Sequence, residues 1–576
     1  MALGSAAPVP APRRNVTFNI VNSDRMRLVL WAAFLTLLIA GPWLTSGYIF
    51  GTDWPGQRRF DFPTEVSSTA PVAAVIAAVS RILSAEVTSK VLIIGSLFVA
   101  AATAYRATPV GAFVPKATAA TIYLVNPFVY GRLHYGQVLL VAGYALLPWV
   151  ATRLRLLLRE PTLRSALLAA LSVALLGMLD LHLFLMSSVL AGSLLIANVI
   201  ASDARFRHVK RLIPWALLAG AATLAASAYW IVPALLGRGP QGAALAGIST
   251  NAMIEFAAVR DPRFGLLPNL LGLYGFWAED SGRFLSMKAY VPVWPAVLAL
   301  ILLVAAIGAF AGIKRDRDEL APWVVGLLLA AGIALVVEMG VSHPLTSRLA
   351  YWLYAHVPPY RGMRDAGKWA VLLALVYSQL VGLGAAATLD WIRSRKLSPI
   401  TIDWMAAGAS ALLLAMPLGY GNGLLFGSHG GIRPSQYPAG WYAADRLLLA
   451  DANPGRTLFL PWHEYLSFDF IRNENEVVAT PAPGFFSTPV VASANPEGFS
   501  TAPPTGPDQV AISKLVSEGP LGTNDWAPVL TQHGIKYVLL AHGATWQTYS
   551  YLDSTPGLVK VADFGSIVVY RNTGVP

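Results

Sequence analysis

The chain repeats one pattern about eleven times: an apolar run long enough to cross a bilayer, followed by a short polar segment. A spanning helix needs about 20 mostly apolar residues. The runs that qualify are 27–48, 88–105, 110–130, 137–157, 165–179, 182–201, 213–236, 290–312, 320–341, 367–388 and 404–420. The polar segments between them fall into two alternating sets. One carries the cations: Arg13, Arg14, Arg25 and Arg27 in the tail 1–26, then Arg153–Arg164, Arg205–Arg211, Lys314–Arg317 and Arg393–Lys396. The other carries the acids and histidines suited to chemistry: Asp53, Asp61, Glu65, His134, Asp180, His182, Glu255 and Asp365. Cytoplasmic loops carry the basic excess. The reading is therefore a polytopic α-helical membrane protein with its amino terminus inside, and with its candidate chemistry and carboxyl terminus outside.

Composition agrees with that class. Hydrophobic residues make up 55% of the chain and charged ones 13%, about half the usual charged share, and mean hydropathy is +0.54. The net charge of +11 would suit nucleic acid, but the Arg clusters occupy short turns between spans and read as topology signals, with no nucleic-acid partner implied. Cysteine is absent, which excludes disulfides, thiolate metal sites and a Cys nucleophile. The first apolar run has no small-residue cleavage site before FGTDW and is expected to be a retained span.

Three outward segments within the membrane part, 27–420, exceed what a turn needs: 49–87, 237–289 and 342–366. Loops of this length are usually functional, and these are too aromatic to be disordered. Within the first, VAAVIAAVSRIL is apolar but too short to span, which predicts a helix lying along the interface. From 421 to 576 the apolar runs shorten to strand length, as in TLFLPW, KYVLLA and SIVVYRN. That predicts an extracytoplasmic α+β domain large enough for its own core.

Asp53 follows the first span in GYIFGTDWPGQ. A carboxylate at the membrane surface is placed to meet a substrate whose apolar part stays in the bilayer, although a lone loop acid is more often simply solvated. Asp180 and His182, in GMLDLHLFLM, offer one carboxylate and one imidazole to a divalent cation (Mg, Mn or Ca) or to a pyrophosphate-like group. A connection this short must also expose something polar. Arg361, Arg364 and Lys368, around Asp365 in YRGMRDAGKW, place three cations where positive-inside logic disfavours them. They call for an anion, either a phosphate or lipid headgroups. Arg132 and His134, in NPFVYGRLHYGQ, face the same side and are further candidates for that anion. Glu255 and Trp54 are candidate acceptor contacts. Trp462 and Trp526 suit either sugar stacking or a plain core role. GYGNG does not open a helix, and Walker, HExxH and GxSxG sequences are absent.

FGTDWPGQ after the first span and LDLHLF at a later outward turn resemble the GT-C superfamily of polytopic glycosyltransferases. Within it, NPFVYGRLHYGQVLLVAGYALLPW, PYRGMRDAGKWAVL, RTLFLPWHEY and HGIKYVLL are similar to bacterial YfhO-type proteins and to the membrane core of mycobacterial α-(1→3)-arabinofuranosyltransferases. The resemblance implies a bacterial plasma-membrane enzyme that takes a sugar from a polyprenyl-phosphate donor to a cell-envelope glycan or lipid, with inversion. Asp53 would be general base and the cations would meet the leaving phosphate. One branch of the resemblance suggests arabinofuranose as the sugar. Asp53 is followed by Trp rather than a second acid, so the metal requirement stays open. A flippase for lipid-linked saccharides and a non-catalytic glycan-binding assembly protein are the alternatives. Surrounding membrane lipids are expected partners in every case.

Overall fold

The computed structural model describes residues 15–201, 205–247, 250–281, 285–315, 320–474, 477–494, 506–521 and 525–575. Arg13, Arg14 and Arg317 of the expected cytoplasmic clusters lie outside them. Among the described residues, nine helices are long and apolar enough to cross a membrane: Ser23–Leu44, Ala85–Ala107, Val138–Arg159, Leu181–Ile200, Lys210–Leu235, Trp294–Arg315, Leu320–Ser342, Ala366–Arg393 and Pro399–Tyr420.

The other two expected spans differ in form. The run 165–179 is a helix of 17 residues, Leu163–Leu179. The run 110–130 is two helices, Phe113–Leu124 and Pro127–His134. A residue before proline is pushed out of the helical region, and Asn126 is extended there, with its side chain accepting from the Val129 amide at 3.1 Å. Both pieces are almost wholly buried, which is where a membrane protein tolerates a broken helix.

The helix Ala366–Arg393 runs through the middle of the bundle, with 89% of its most apolar window buried. Trp294–Arg315 lies directly against it because Gly308 and Gly384 face each other's backbones. A Cβ at either position would sit 1.9 Å from a carbonyl oxygen of the other helix, the close approach that small residues allow in membranes. At one end of the bundle Asp24 pairs with Lys116 at 2.9 Å and Arg315 with Asp390 at 3.5 Å. Asp53 is at the other end. There the helix Ala70–Leu83 leaves Val75 and Ile82 exposed, as an interfacial helix would.

On the Asp53 end sits a five-stranded mixed sheet. Its strands are β1 (Arg456–Leu460), β4 (Val490–Val491), β5 (Ile535–Ala541), β6 (Leu558–Asp563) and β7 (Ile567–Asn572), and a small ribbon pairs β2 (Tyr465–Ser467) with β3 (Val477–Ala479). The order is β4-β1-β5-β7-β6, with β4, β1 and β5 parallel and β7 and β6 antiparallel. Side chains alternate between faces. Phe459 and Leu539 pack on one face with Trp441 and Leu448 of the helix Ala439–Ala450. Leu458, Leu460 and Val538 pack on the other with Ile512 and Leu515 of Pro507–Glu518. The loop after the first span stitches this layer to the bundle. Arg58 pairs with Asp445 at 2.7 Å, the Ala479 amide donates to the Thr52 carbonyl at 2.7 Å, and Tyr437 donates to the Pro55 carbonyl at 3.0 Å.

Candidate functional site

Asp53 is held by two glycines and a tryptophan. A Cβ on Gly51 would lie 2.5 Å from the Gly136 Cα, and Gly136 itself is left-handed at φ +70. Only residues without side chains allow this approach. It lets the Asp53 amide donate to the Tyr135 carbonyl at 2.7 Å. Trp54 turns the other way and donates its indole N–H to Ser89 at 2.8 Å, so its place is as an anchor of the loop rather than facing an acceptor.

The Asp53 carboxylate accepts from Gln137 Nε2 at 3.2 Å and from the Tyr465 hydroxyl at 3.4 Å. Gln137 is itself fixed, because its amide oxygen accepts from Arg132 at 3.1 Å. Arg132 in turn clasps Asp365 with two bonds of 2.6 and 3.3 Å. Arg132 and Asp365 are buried, with side chains 1% and 8% exposed. A chain of contacts thus runs from the bundle interior to a carboxylate that remains solvent-accessible while protein surrounds it on several sides. That enclosure pushes the Asp53 pKa up, and the Gln137 bond, the Lys368 charge and the Tyr465 bond oppose it.

Asp180 and His182 meet Lys368. Asp180 Oδ1 accepts from the His182 and Leu183 amides at 2.8 and 3.2 Å and lies 3.1 Å from His182 Nδ1. It is therefore the N-cap of the helix Leu181–Ala201. His182 Nε2 lies 2.9 Å from the Gly362 carbonyl. A carbonyl only accepts, so Nε2 carries the proton. Lys368 Nζ is 3.2 Å from His182 Nδ1 and 3.9 Å from Asp180. Burial works against the Asp180 carboxylate, but His182, Lys368 and the hydrogen bonds outweigh it and hold its pKa below the usual range. Burial likewise opposes Asp365, and Arg132 and Lys368 more than offset it.

The pair does not fit the divalent cation that its spacing suggested. Asp180 Oδ1 is already shared among three groups, and the Lys368 ammonium occupies the place a cation would need. No group of three His, Cys, Asp or Glu side chains suited to a metal occurs among the described residues.

The other nominated residues separate. Arg364 is exposed, 4.7 Å over the Phe256 ring, on an aromatic wall that continues through Trp277 to Tyr135 beside Asp53. Arg361 donates to the Tyr354 carbonyl at 3.1 Å, outside the Lys368 cluster. Arg132 is occupied as an internal strut and does not present its guanidinium to a phosphate. His134 is fully buried, against Tyr130 and 3.7 Å from Glu474. Glu255 is exposed at the end of Thr250–Glu255. Trp462 is 5% exposed and donates to Ser513 at 2.9 Å inside the sheet core, and Trp526 is fully buried there. Neither ring has a face free for a sugar, which corrects the acceptor reading of Trp462.

Three site residues escaped nomination. Gln137 and Tyr465 bond Asp53, and Glu464 lies close enough for Asp53 to help raise its pKa, after enclosure itself and against Arg364. All three stand inside motifs noted from sequence, GRLHYGQ and LPWHEY. Glu464 and Tyr465 come just past the carboxyl end of β1, the edge at which parallel sheets bind ligands.

Searched against known proteins, the sequence matches no family model and none of the curated proteins. The structure does find neighbours. The cryo-EM structure of the arabinofuranosyltransferase AftD from Mycobacteria aligns with a TM-score of 0.58 and 18% identity, over 95% of this chain and 40% of that one. In fold, this chain is similar to AftD. A mutant of that enzyme aligns with a TM-score of 0.57 and 18% identity, over 95% of this chain and 41% of its own. The likeness covers helix bundle and sheet together, and the chain spans less than half the length of AftD.

Proposed function

We propose that this protein is a membrane glycosyltransferase that moves a sugar from a polyprenyl-phosphate donor onto an extracytoplasmic cell-envelope glycan or lipid. The observation that carries the reading is Asp53. It is a solvent-accessible carboxylate braced by Gln137 and Tyr465, with Lys368 close enough to act on its charge, at one end of a bundle folded like an arabinofuranosyltransferase. The acceptor hydroxyl oxygen attacks the anomeric carbon and passes its proton to Asp53. The bond from that carbon to the phosphate oxygen breaks, and its electron pair leaves with the phosphate. A single displacement inverts the carbon.

Asp53 rather than Glu464 is the base. Two hydrogen bonds favour the charged form of Asp53, whereas the Glu464 carboxylate accepts none from a side chain among the described residues. Charge developing on the phosphate meets Lys368, held by Asp180 and His182, and the exposed Arg364 on its aromatic wall. The acids and the sheet share one face, opposite the described Arg and Lys clusters, which supports a reaction outside the cell with a lipid-linked donor. Arabinofuranose is the sugar we favour.

The test is incubation of the purified protein with radiolabelled polyprenyl-phosphate sugars and envelope glycans. Transfer of label supports the reading. Donor carried intact across vesicle bilayers without transfer would replace it with a lipid-saccharide carrier.

A further inference from the structure

A cavity of about 510 Å³ lies in the sheet layer, away from Asp53. It opens where β5 ends and β7 begins, at the same edge as the carboxyl end of β1. Trp546 stacks on His542 there with ring centroids 3.7 Å apart, and Asp469 and Gln547 line the cavity with exposed side chains. His542 and Ser566 also line it, although His542 Nε2 and Ser566 Oγ themselves are turned into the protein. Asp469 is its one carboxylate, and no Lys or Arg lines it.

Aromatic rings beside neutral donors and acceptors, without cations, suit a polyhydroxyl ligand, whose C–H faces pack on rings and whose hydroxyls bond the planar polar groups. A phosphate would meet the Asp469 carboxylate and no cation.

The cavity is also tied to the reaction centre. The Ala544 amide donates to the Ser467 carbonyl at 2.9 Å, so its wall is hydrogen-bonded to β2, the strand that begins with Tyr465. Asp469 follows Tyr465 by four residues, in the turn just after β2, so at most about 13 Å of chain separates them.

We infer that this cavity is a glycan subsite that holds the acceptor some sugars away from the reacting hydroxyl, which rests on the transferase reading above. It would make the enzyme prefer long acceptors to short ones.

The experiment compares wild type, Trp546→Ala and Gln547→Ala on an arabinofuranosyl disaccharide and hexasaccharide, with hexasaccharide binding followed separately by saturation-transfer NMR. Both residues retain exposure, and Trp546→Phe should restore part of the effect. The expected result is a KM for the hexasaccharide raised roughly tenfold, an unchanged KM for the disaccharide, an unchanged kcat, and loss of the NMR signal in the Ala variants. Variants that transfer to both acceptors as wild type does would overturn the subsite and leave the transferase reading intact. Wild type that binds the hexasaccharide through Trp546 but transfers nothing would overturn the transferase reading alone. A hexasaccharide that wild type does not bind would overturn the subsite.

Discussion

Replacing Arg132 with Met separates two roles the residue could play. As a phosphate ligand it would be dispensable for folding and its loss would raise the donor KM. As a strut its loss leaves Asp365 buried, 8% exposed, with two hydrogen bonds removed. Breaking a buried ion pair by removing one partner costs about 3–5 kcal/mol. That is a factor of roughly 10² to 10³ or more in the folding equilibrium. Arg132 also holds Gln137, so the surviving protein should lose kcat through a loosened Asp53 while binding donor normally. The assay is thermal unfolding in detergent, followed by donor and acceptor kinetics on the folded fraction. The double variant Arg132→Met with Asp365→Leu removes both charges, and should be less destabilised than the sum of the singles. A stable Arg132→Met protein with raised donor KM and normal kcat would refute the strut.

Three further outcomes are expected. Enclosure raises the Asp53 pKa above the ordinary value of 3.8, so activity should fall on the acid side as the base takes up a proton above that pH. Tyr465→Phe removes a donor to the charged form, and should move that limb to higher pH; an unmoved limb in a pH–rate profile would count against the contact. Trp462→Ala should destabilise the sheet layer by about 3–5 kcal/mol, as a core truncation does. A folded variant with weakened acceptor binding would restore its sugar-binding role.

The membrane architecture was legible because bilayer thickness imposes a length that local composition records directly. The break at Asn126-Pro127 was missed, because a single apolar window over 110–130 hides the proline and its preceding Asn. Asp53, His182 and Lys368 were placed on one face by alternation of loop charge, and the fold gathers them at one site. The braces were not legible. Gln137 is 84 residues from Asp53, Tyr465 is 412 away, and Arg132 is 233 from Asp365. Pairings at such separations follow from packing rather than local pattern. Trp462 and the unnominated His542–Trp546 stack show the same limit, since residue type does not say which aromatic faces a core covers and which a cavity leaves open.

The most direct test of the central claim is single-turnover sugar transfer by Asp53→Asn beside wild type, with donor binding measured on both. The substitution keeps size and one of the two acceptor oxygens but removes the base. Normal donor binding with transfer reduced by roughly 10²-fold or more is the result this account predicts. Transfer at the wild-type rate in a folded Asp53→Asn protein would contradict it.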